Sequence, residues 1–173
     1  MGQSIIEYIS ENDIRLRVAE LGKRISYDYK DKSILMVAVL KGSFVFLADL
    51  VREVNLQTEV SFVSLSSYAD DIVSSGSVRL LCDIIEPLTG KDVLIVEDII
   101  DSGLTISYLM EKLTVQKPNS IKICALLDKP SRRLSEVRID YVGFEIDDEF
   151  VVGYGIDFAG KYRNLKSIAK VVF

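Results

Sequence analysis

Apolar residues along this chain alternate between two spacings, and the alternation predicts the order of its elements. Ile14, Val18, Leu21 and Ile25 recur at helical spacing, which predicts an amphipathic first helix with Asn12 or Asp13 as its cap. Ile34 to Leu40, ILMVAVL, is an unbroken apolar run and predicts a strand buried on both faces. Leu47, Leu50, Val51 and Val54 then mark a helix. Val93 to Val96 predicts a second buried strand, and after a small-residue break Ile106, Leu109, Met110 and Leu113 return to helical spacing. Further strands are expected at Glu59 to Leu65, Val78 to Ile84, Lys122 to Leu127, Tyr141 to Ile146 and Phe150 to Tyr154. Strands alternating with helices give an α/β class with a mainly parallel, twisted sheet flanked by helices. In such sheets ligands sit outside the carboxyl ends of the strands, where Lys41-Gly42 and the segment after Val96 would both lie.

That second segment carries the chemistry. In VLIVEDIIDSGLT, Val93 to Thr105, three carboxylates follow the buried run: Glu97, Asp98 and Asp101. Ser102, Gly103, Leu104 and Thr105 complete a turn into a helix. Exposed backbone N–H groups, the positive end of a helix dipole and the hydroxyls of Ser102 and Thr105 suit a phosphate, and Gly103 permits close approach. Asp101 fits that cradle badly, because a carboxylate about 4 Å from a phosphate costs about 4 kcal/mol at an effective dielectric near 20. It therefore serves another purpose. Glu97 and Asp98 are adjacent in an extended chain and point to opposite sides, which argues against a proton-sharing dyad. One could bind sugar hydroxyls while the other holds a metal-bound water or braces the loop.

The whole chain narrows the classes. At 173 residues it fits one domain, 1–173, that can bury about 70% of its unfolded surface. Its 49% hydrophobic and 27% charged content is that of a soluble globular protein, and no apolar run approaches a membrane span. The start, MGQSIIEY, has neither a basic n-region nor an apolar h-region, and Ile6 stands where a myristoylation signal wants Ser or Thr; a cytoplasmic location is expected. Cys82 and Cys124 lie in apolar runs and are expected in the core. With no histidine and two scattered cysteines, a His-paired triad and a closed zinc site are excluded, so any metal is hard and oxygen-bound. A net charge of −5 argues against nonspecific nucleic-acid binding, although a local basic patch would escape that average, and a polyphosphate ligand then needs a metal. Neither GxGxxG nor GxxxxGK[ST] occurs, which argues against other nucleotide-binding folds.

The Val93–Thr105 segment resembles the phosphoribosyl diphosphate motif of the phosphoribosyltransferases, in which two acids precede an apolar pair and a D-[ST]-G-x-T loop. LKGSFVFLADL, ALLDKPSRR and VGFEIDDEFVVGYGIDFAGKYRNL occur in the same order as similar segments of the family's hypoxanthine-guanine branch. The resemblance covers nearly the whole chain. It implies a type I phosphoribosyltransferase-like fold with a small hood subdomain built from the chain ends, and purine salvage by transfer of a 5-phosphoribosyl group to hypoxanthine or guanine.

It also implies roles. Glu97 and Asp98 would face the ribose hydroxyls and the Mg²⁺ shell, Asp101 to Thr105 the 5′-phosphate, and Asp101 also ring nitrogen 7 of the base as general acid/base. Lys41 and Gly42 would contact pyrophosphate, with an unusual peptide geometry at Leu40-Lys41. Ser67 and Tyr68 would belong to a flexible loop, about 66–77, that closes over the reacting centre and excludes water; composition alone reads it as an ordinary surface loop. Lys129 would read the exocyclic oxygen of the base. An ammonium only donates, so a 6-amino group would leave an unmatched buried donor at about 1–3 kcal/mol, and adenine is expected to be poor. Phe150 would stack on the purine, the backbone of Val151 would meet its edge, Asp157 would be a further Mg²⁺ ligand and Arg163 a pyrophosphate contact. Leu104 departs from relatives that carry a lysine there. The implied partners are phosphoribosyl diphosphate and a 6-oxo purine, with a homodimer or homotetramer and neither membrane nor nucleic acid. The competing reading is a regulatory RNA-binding protein on the same fold, as in the pyrimidine-operon attenuators. Against it stand the acidic total and the lack of a basic cluster beyond Lys129, Arg132 and Arg133.

Overall fold

The computed structural model describes residues 4–67, 78–82 and 84–172. In chain order these form β1 (Ser4–Ile9), α1 (Glu11–Asp28), β2 (Ile34–Leu40), α2 (Phe44–Glu53), β3 (Thr58–Ser67), β4 (Val78–Cys82), β5 (Asp92–Ile100), α3 (Leu104–Thr114), β6 (Ser120–Asp128), a 3₁₀ turn (Pro130–Arg132), β7 (Tyr141–Glu145), β8 (Val151–Val152) and β9 (Ile168–Val172). The main sheet has the order β4-β3-β2-β5-β6-β7. All its pairings are parallel except β3 with β4. The two central strands are β2 and β5, the two apolar runs. Both faces of the sheet are covered, so their side chains divide by the strand period of two. Ile34, Met36 and Ala38 of β2, with Leu94 and Val96 of β5, pack against α1 and α2. Leu35, Val37 and Val39, with Val93 and Ile95, face Ile106, Leu109 and Leu113 of α3.

The chain ends form a second sheet, antiparallel, in the order β1-β9-β8. Its inner residues Val152, Ala169 and Val171 pack with Phe158, Tyr162 and Leu165. This is the expected hood; its strands β1 and β9 have no counterpart in the periodicity reading. Among the described residues no helix is long and apolar enough to cross a membrane.

Several local expectations change. The cap of α1 is Ser10, whose hydroxyl accepts from the Asp13 N–H at 3.2 Å and donates to the Asp13 carboxylate at 2.6 Å. The helix thus starts before Asn12 and Asp13, which fall in its first turn, where negative charge suits the dipole. Cys124 is buried, but Cys82 is exposed, because β4 is an edge strand. Ile84 lies beyond β4 rather than within it, yet joins the core on the α3 side. The segment expected from Phe150 to Tyr154 keeps only Val151 and Val152 as strand, since Gly153 and Tyr154 take positive φ and turn the chain. Glu97 and Asp98, expected just past the end of their strand, lie inside β5, whose pairing with β6 runs on to Ile100. Ser66 and Ser67, expected in the loop, close β3, and Tyr68 lies outside the described residues.

Candidate active site

Three chain segments meet at the carboxyl ends of β2 and β5. After β2 the Leu40–Lys41 peptide is cis and Gly42 enters a tight turn. The buried hydroxyl of Ser43 donates to the Val39 carbonyl at 2.6 Å, holding the start of α2 against the strand end. A Cβ on Gly42 would overlap the Asp98 carboxylate, so only glycine lets the two strand ends approach this closely. Gly155, at φ +99°, lies against the carbonyl of Gly42, where a side chain would again collide. The turn after β8 is thereby locked onto the other two.

Between them lies a cavity of about 330 Å³. Lys41, Gly42, Glu97, Asp98, Thr105, Asp157 and Arg163 border it, so seven candidates scattered from Lys41 to Arg163 share one space. A larger groove of about 710 Å³ runs between α1, α2 and the 163–166 segment and shares Arg163 with this cavity. Each space is lined by three carboxylates, Glu11, Asp49 and Glu53 in the groove and Glu97, Asp98 and Asp157 in the cavity, but only the cavity lies at the carboxyl ends of β2 and β5, and we place the site there.

Burial sets the electrostatics. Glu97 is 7% exposed, and its Oε2 has no hydrogen-bond partner among the described residues. Desolvation, helped by the neighbouring charge of Asp98, holds its carboxyl well above the usual range. Asp98 is half-buried and lines the cavity. Burial pushes it up to about 6, against backbone N–H groups and Arg163, which favour its charged form. Asp157 is held differently: its Oδ1 pairs with Arg163 Nη2 at 2.6 Å, and its Oδ2 accepts from the Gly160 N–H at 2.7 Å. Arg163 Nη1 donates to the Gly155 carbonyl at 2.6 Å.

The turn into α3 is braced from outside. Gly103 caps the helix at φ +81°, and a Cβ there would come 2.8 Å from the Ser135 carbonyl. The Ser102 carbonyl accepts from the N–H groups of Leu134 and Ser135 at 2.9 and 3.1 Å. The N-cap Gly103 supplies no side-chain cap to α3, and the Leu104 N–H donates to Ser102 Oγ at 3.4 Å. Leu104 itself is partly exposed.

A second group flanks this turn. Asp101 pairs with Arg132, and Lys129 is buried with its Nζ donating to the Glu149 carbonyl at 2.5 Å. Phe150 is 45% exposed and meets Phe158 edge to face at 5.2 Å. An aromatic left this open is not a core residue. Val151 is buried in β8, with its backbone paired to Lys170 of β9. Arg132, Asp148, Tyr154 and Gly155 all lie in the matched segments, but periodicity and motif matching assigned none of them a place in the site. Gly155 left a signal, as one of two glycines flanking a tyrosine in GYG, while the other three read as ordinary surface or core residues.

The buried, partnerless oxygen of Glu97 and the recessed Asp98 are hard donors that fit a magnesium-sized cation. Among the described residues, no three His, Cys, Asp or Glu side chains are close enough to hold a metal by themselves. Mg²⁺ is commonly bound by one or two carboxylates completed by substrate oxygens, and the donor set here matches that habit.

The family model of the phosphoribosyl transferase domain matches residues 7–159. Hypoxanthine phosphoribosyltransferase of Escherichia coli K12 is 49% identical, over 99% of this chain and 98% of its own. Hypoxanthine-guanine phosphoribosyltransferase of Bacillus subtilis is 49% identical over 92% of this chain and 89% of its own. A crystal structure of a hypoxanthine-guanine phosphoribosyltransferase from Bacillus anthracis, with a HEPES molecule in its active site, superposes with a TM-score of 0.92 at 50% identity, covering 96% of this chain and 98% of that one. The family model covers most of the chain and these relatives span nearly all of it, so the chain belongs to the phosphoribosyl transferase domain family.

Proposed function

We propose that this protein transfers the 5-phosphoribosyl group of phosphoribosyl diphosphate to hypoxanthine or guanine, forming IMP or GMP and releasing pyrophosphate, as a purine salvage enzyme of the cytoplasm. The observation that carries the reading is the shared cavity of Lys41, Gly42, Glu97, Asp98, Thr105, Asp157 and Arg163, flanked by Asp101 and Lys129, in a chain about half identical to enzymes of that name.

The 5′-phosphate docks on the N-terminal turn of α3, with the hydroxyls of Ser102 and Thr105, the backbone at Gly103 and Leu104, and the helix dipole. Glu97 and Asp98 take the ribose hydroxyls. The diphosphate faces Lys41, the Gly42 backbone and Arg163. Mg²⁺, held among Glu97, Asp98 and Asp157 with substrate oxygens, would offset the diphosphate charge. As the bond from ribose carbon 1 to the diphosphate oxygen breaks and that from purine nitrogen 9 forms, Asp101 takes the proton from nitrogen 7, a role worth about 10² to 10⁴ in rate. Phe150 stacks on the purine, the Val151 backbone meets its edge, and Lys129 donates to the 6-oxo group. Ser67 and Tyr68 belong to the segment that covers the site during turnover.

The same reading includes a homodimer or homotetramer. Val60 and Phe62 stand in register beside Met36 and Ala38, on the sheet face covered by α1 and α2, yet remain 38% and 42% exposed; Phe44 at the start of α2 is 46% exposed. Sedimentation should therefore give a mass above 19.4 kDa.

The test is incubation with phosphoribosyl diphosphate, Mg²⁺ and each of hypoxanthine, guanine, xanthine and adenine, following nucleotide formation by absorbance. Turnover of 6-oxo purines and not adenine is expected. Tight nucleotide binding without turnover of any base would replace the enzyme with the RNA-binding sensor.

A further inference from the structure

Arg132 has no part in the roles assigned above, yet its side chain bridges two of the segments that form the base side of the site. It closes the 3₁₀ turn after Lys129, with its N–H on the Lys129 carbonyl at 3.1 Å and Pro130 setting the turn. Its Nε lies 3.3 Å from Asp101 Oδ1, and its Nη1 lies 3.4 Å from Asp148 Oδ2. The other oxygen of Asp148 is 4.0 Å from Lys129 Nζ, which itself donates to the next carbonyl, that of Glu149. One guanidinium therefore ties the acid that follows β5 to the loop that leads into Phe150.

We propose that Arg132 is a positioning residue for phosphoribosyl transfer: it holds Asp101 by Oδ1, turning the second oxygen toward the purine, and through Asp148 it fixes the loop that presents Phe150. This rests on the reading of Asp101 as the proton acceptor and Phe150 as the stacking ring. Arg132, Asp101 and Asp148 are all about half exposed, and ion pairs so exposed contribute little to stability. Their geometry is what the bridge can set. Without Arg132 two like charges would face each other across the base site, and Asp101 would be free to rotate about two side-chain bonds. A planar fork can reach both carboxylates at once, which a lysine ammonium at the same place cannot do in fixed geometry. Proton transfer is steep in position, since a misplacement near 1 Å costs up to about 10²-fold in rate.

The experiment is steady-state kinetics, varying purine and phosphoribosyl diphosphate separately, on Arg132→Ala, Arg132→Lys, Asp148→Ala, the Arg132→Ala/Asp148→Ala double variant and Asp101→Asn, with thermal midpoints alongside. Arg132→Ala should lower kcat about tenfold or more and raise KM for the purine, while KM for phosphoribosyl diphosphate stays within about twofold. Arg132→Lys should recover only part of the loss. Asp148→Ala should act in the same direction, and the double variant should be no worse than the worse single, as for residues acting as a unit. An unchanged kcat in Arg132→Ala, full rescue by lysine, or additive losses in the double variant would overturn the positioning role. If Asp101→Asn lowers kcat while Arg132→Ala does not, Arg132 alone is misassigned; if Asp101→Asn is itself without effect, the acid/base reading falls and the positioning role falls with it.

Discussion

The carboxylates of this site come in two kinds. Glu97 and Asp98 sit within β5 with no ion-pair partner among the described residues, and burial drives both upward. Asp101 and Asp157 are 45% and 30% exposed, and each already has an arginine. The buried pair is an unmet demand for positive charge in a low-dielectric place, so it is suited to capture a cation together with a polyhydroxylated ligand. The outer pair is already offset by arginine, which leaves it suited to the orientation and proton handling proposed for it. Two acids of the same type, three residues apart in one segment, thus meet different surroundings: Asp98 is recessed and without an ion pair among the described residues, and Asp101 is more open and paired with Arg132.

The largest effect expected from this contrast is at the outer acid. Asp101→Asn should lower kcat by about 10² to 10⁴ and leave KM for phosphoribosyl diphosphate nearly unchanged. A rise in that KM at constant kcat would instead make Asp101 a phosphate-side residue and dissolve the distinction.

The buried pair predicts a pH dependence. A carboxyl with a raised folded value binds a proton in the native state that the unfolded chain has already released. Ligand-free stability should therefore fall as pH rises from the ordinary carboxylate range, about 4, through about 6 for Asp98, with Glu97 extending the loss to higher pH. For Asp98, a rise from 3.8 to about 6 corresponds to at most about 3 kcal/mol, reduced by the solvent that reaches it through the cavity. Urea melts at pH 4.5, 5.5 and 7 measure it, and adding Mg²⁺ with phosphoribosyl diphosphate should flatten the slope, because these carboxylates are then matched by a cation. A slope unchanged by that addition would show that the buried pair does not face the ligand.

The smallest effect concerns the third segment. The Tyr154 hydroxyl, raised by burial and by its bond to Asp49, donates to Asp49 Oδ2 at 2.5 Å and anchors the turn bearing Asp157 to α2. Tyr154→Phe should cost about 1 kcal/mol of stability, the usual value of one such bond, and raise KM for phosphoribosyl diphosphate slightly at constant kcat. A loss in kcat as large as that of Asp101→Asn would mean that the turn, rather than the outer acid, governs the chemical step.

Much of this was legible before folding. ILMVAVL and VLIV read as fully buried strands because no polar face exists in either, and they became the two central strands. The turn after VLIV read as a ligand site because its backbone donors, helix dipole and hydroxyls suit a phosphate, and Asp101, which fits that cradle badly, pointed to a further role. The hood strands β1 and β9 were not legible in periodicity, because both are short, SIIEYI is mostly exposed despite its apolar residues, IAKVV is mostly buried without a clear alternation, and they pair only with each other and with β8. Cys82 misled for a related reason: its apolar neighbours describe a strand, and only the sheet order shows that the strand lies at an edge.

By itself the sequence determined the strand–helix order, the two buried strands and the chemical types available: hard oxygen donors, no histidine and a glycine-softened turn. These are local properties, set by side-chain period and backbone freedom over a few residues. Only the tertiary structure decided which acids lost water and which gained an arginine. It also decided that Gly42, Asp98 and Gly155 interlock, and that Arg132 spans Asp101 and Asp148. Desolvation and ion pairing depend on what packs around a group, and here the partners come from segments far apart in the chain.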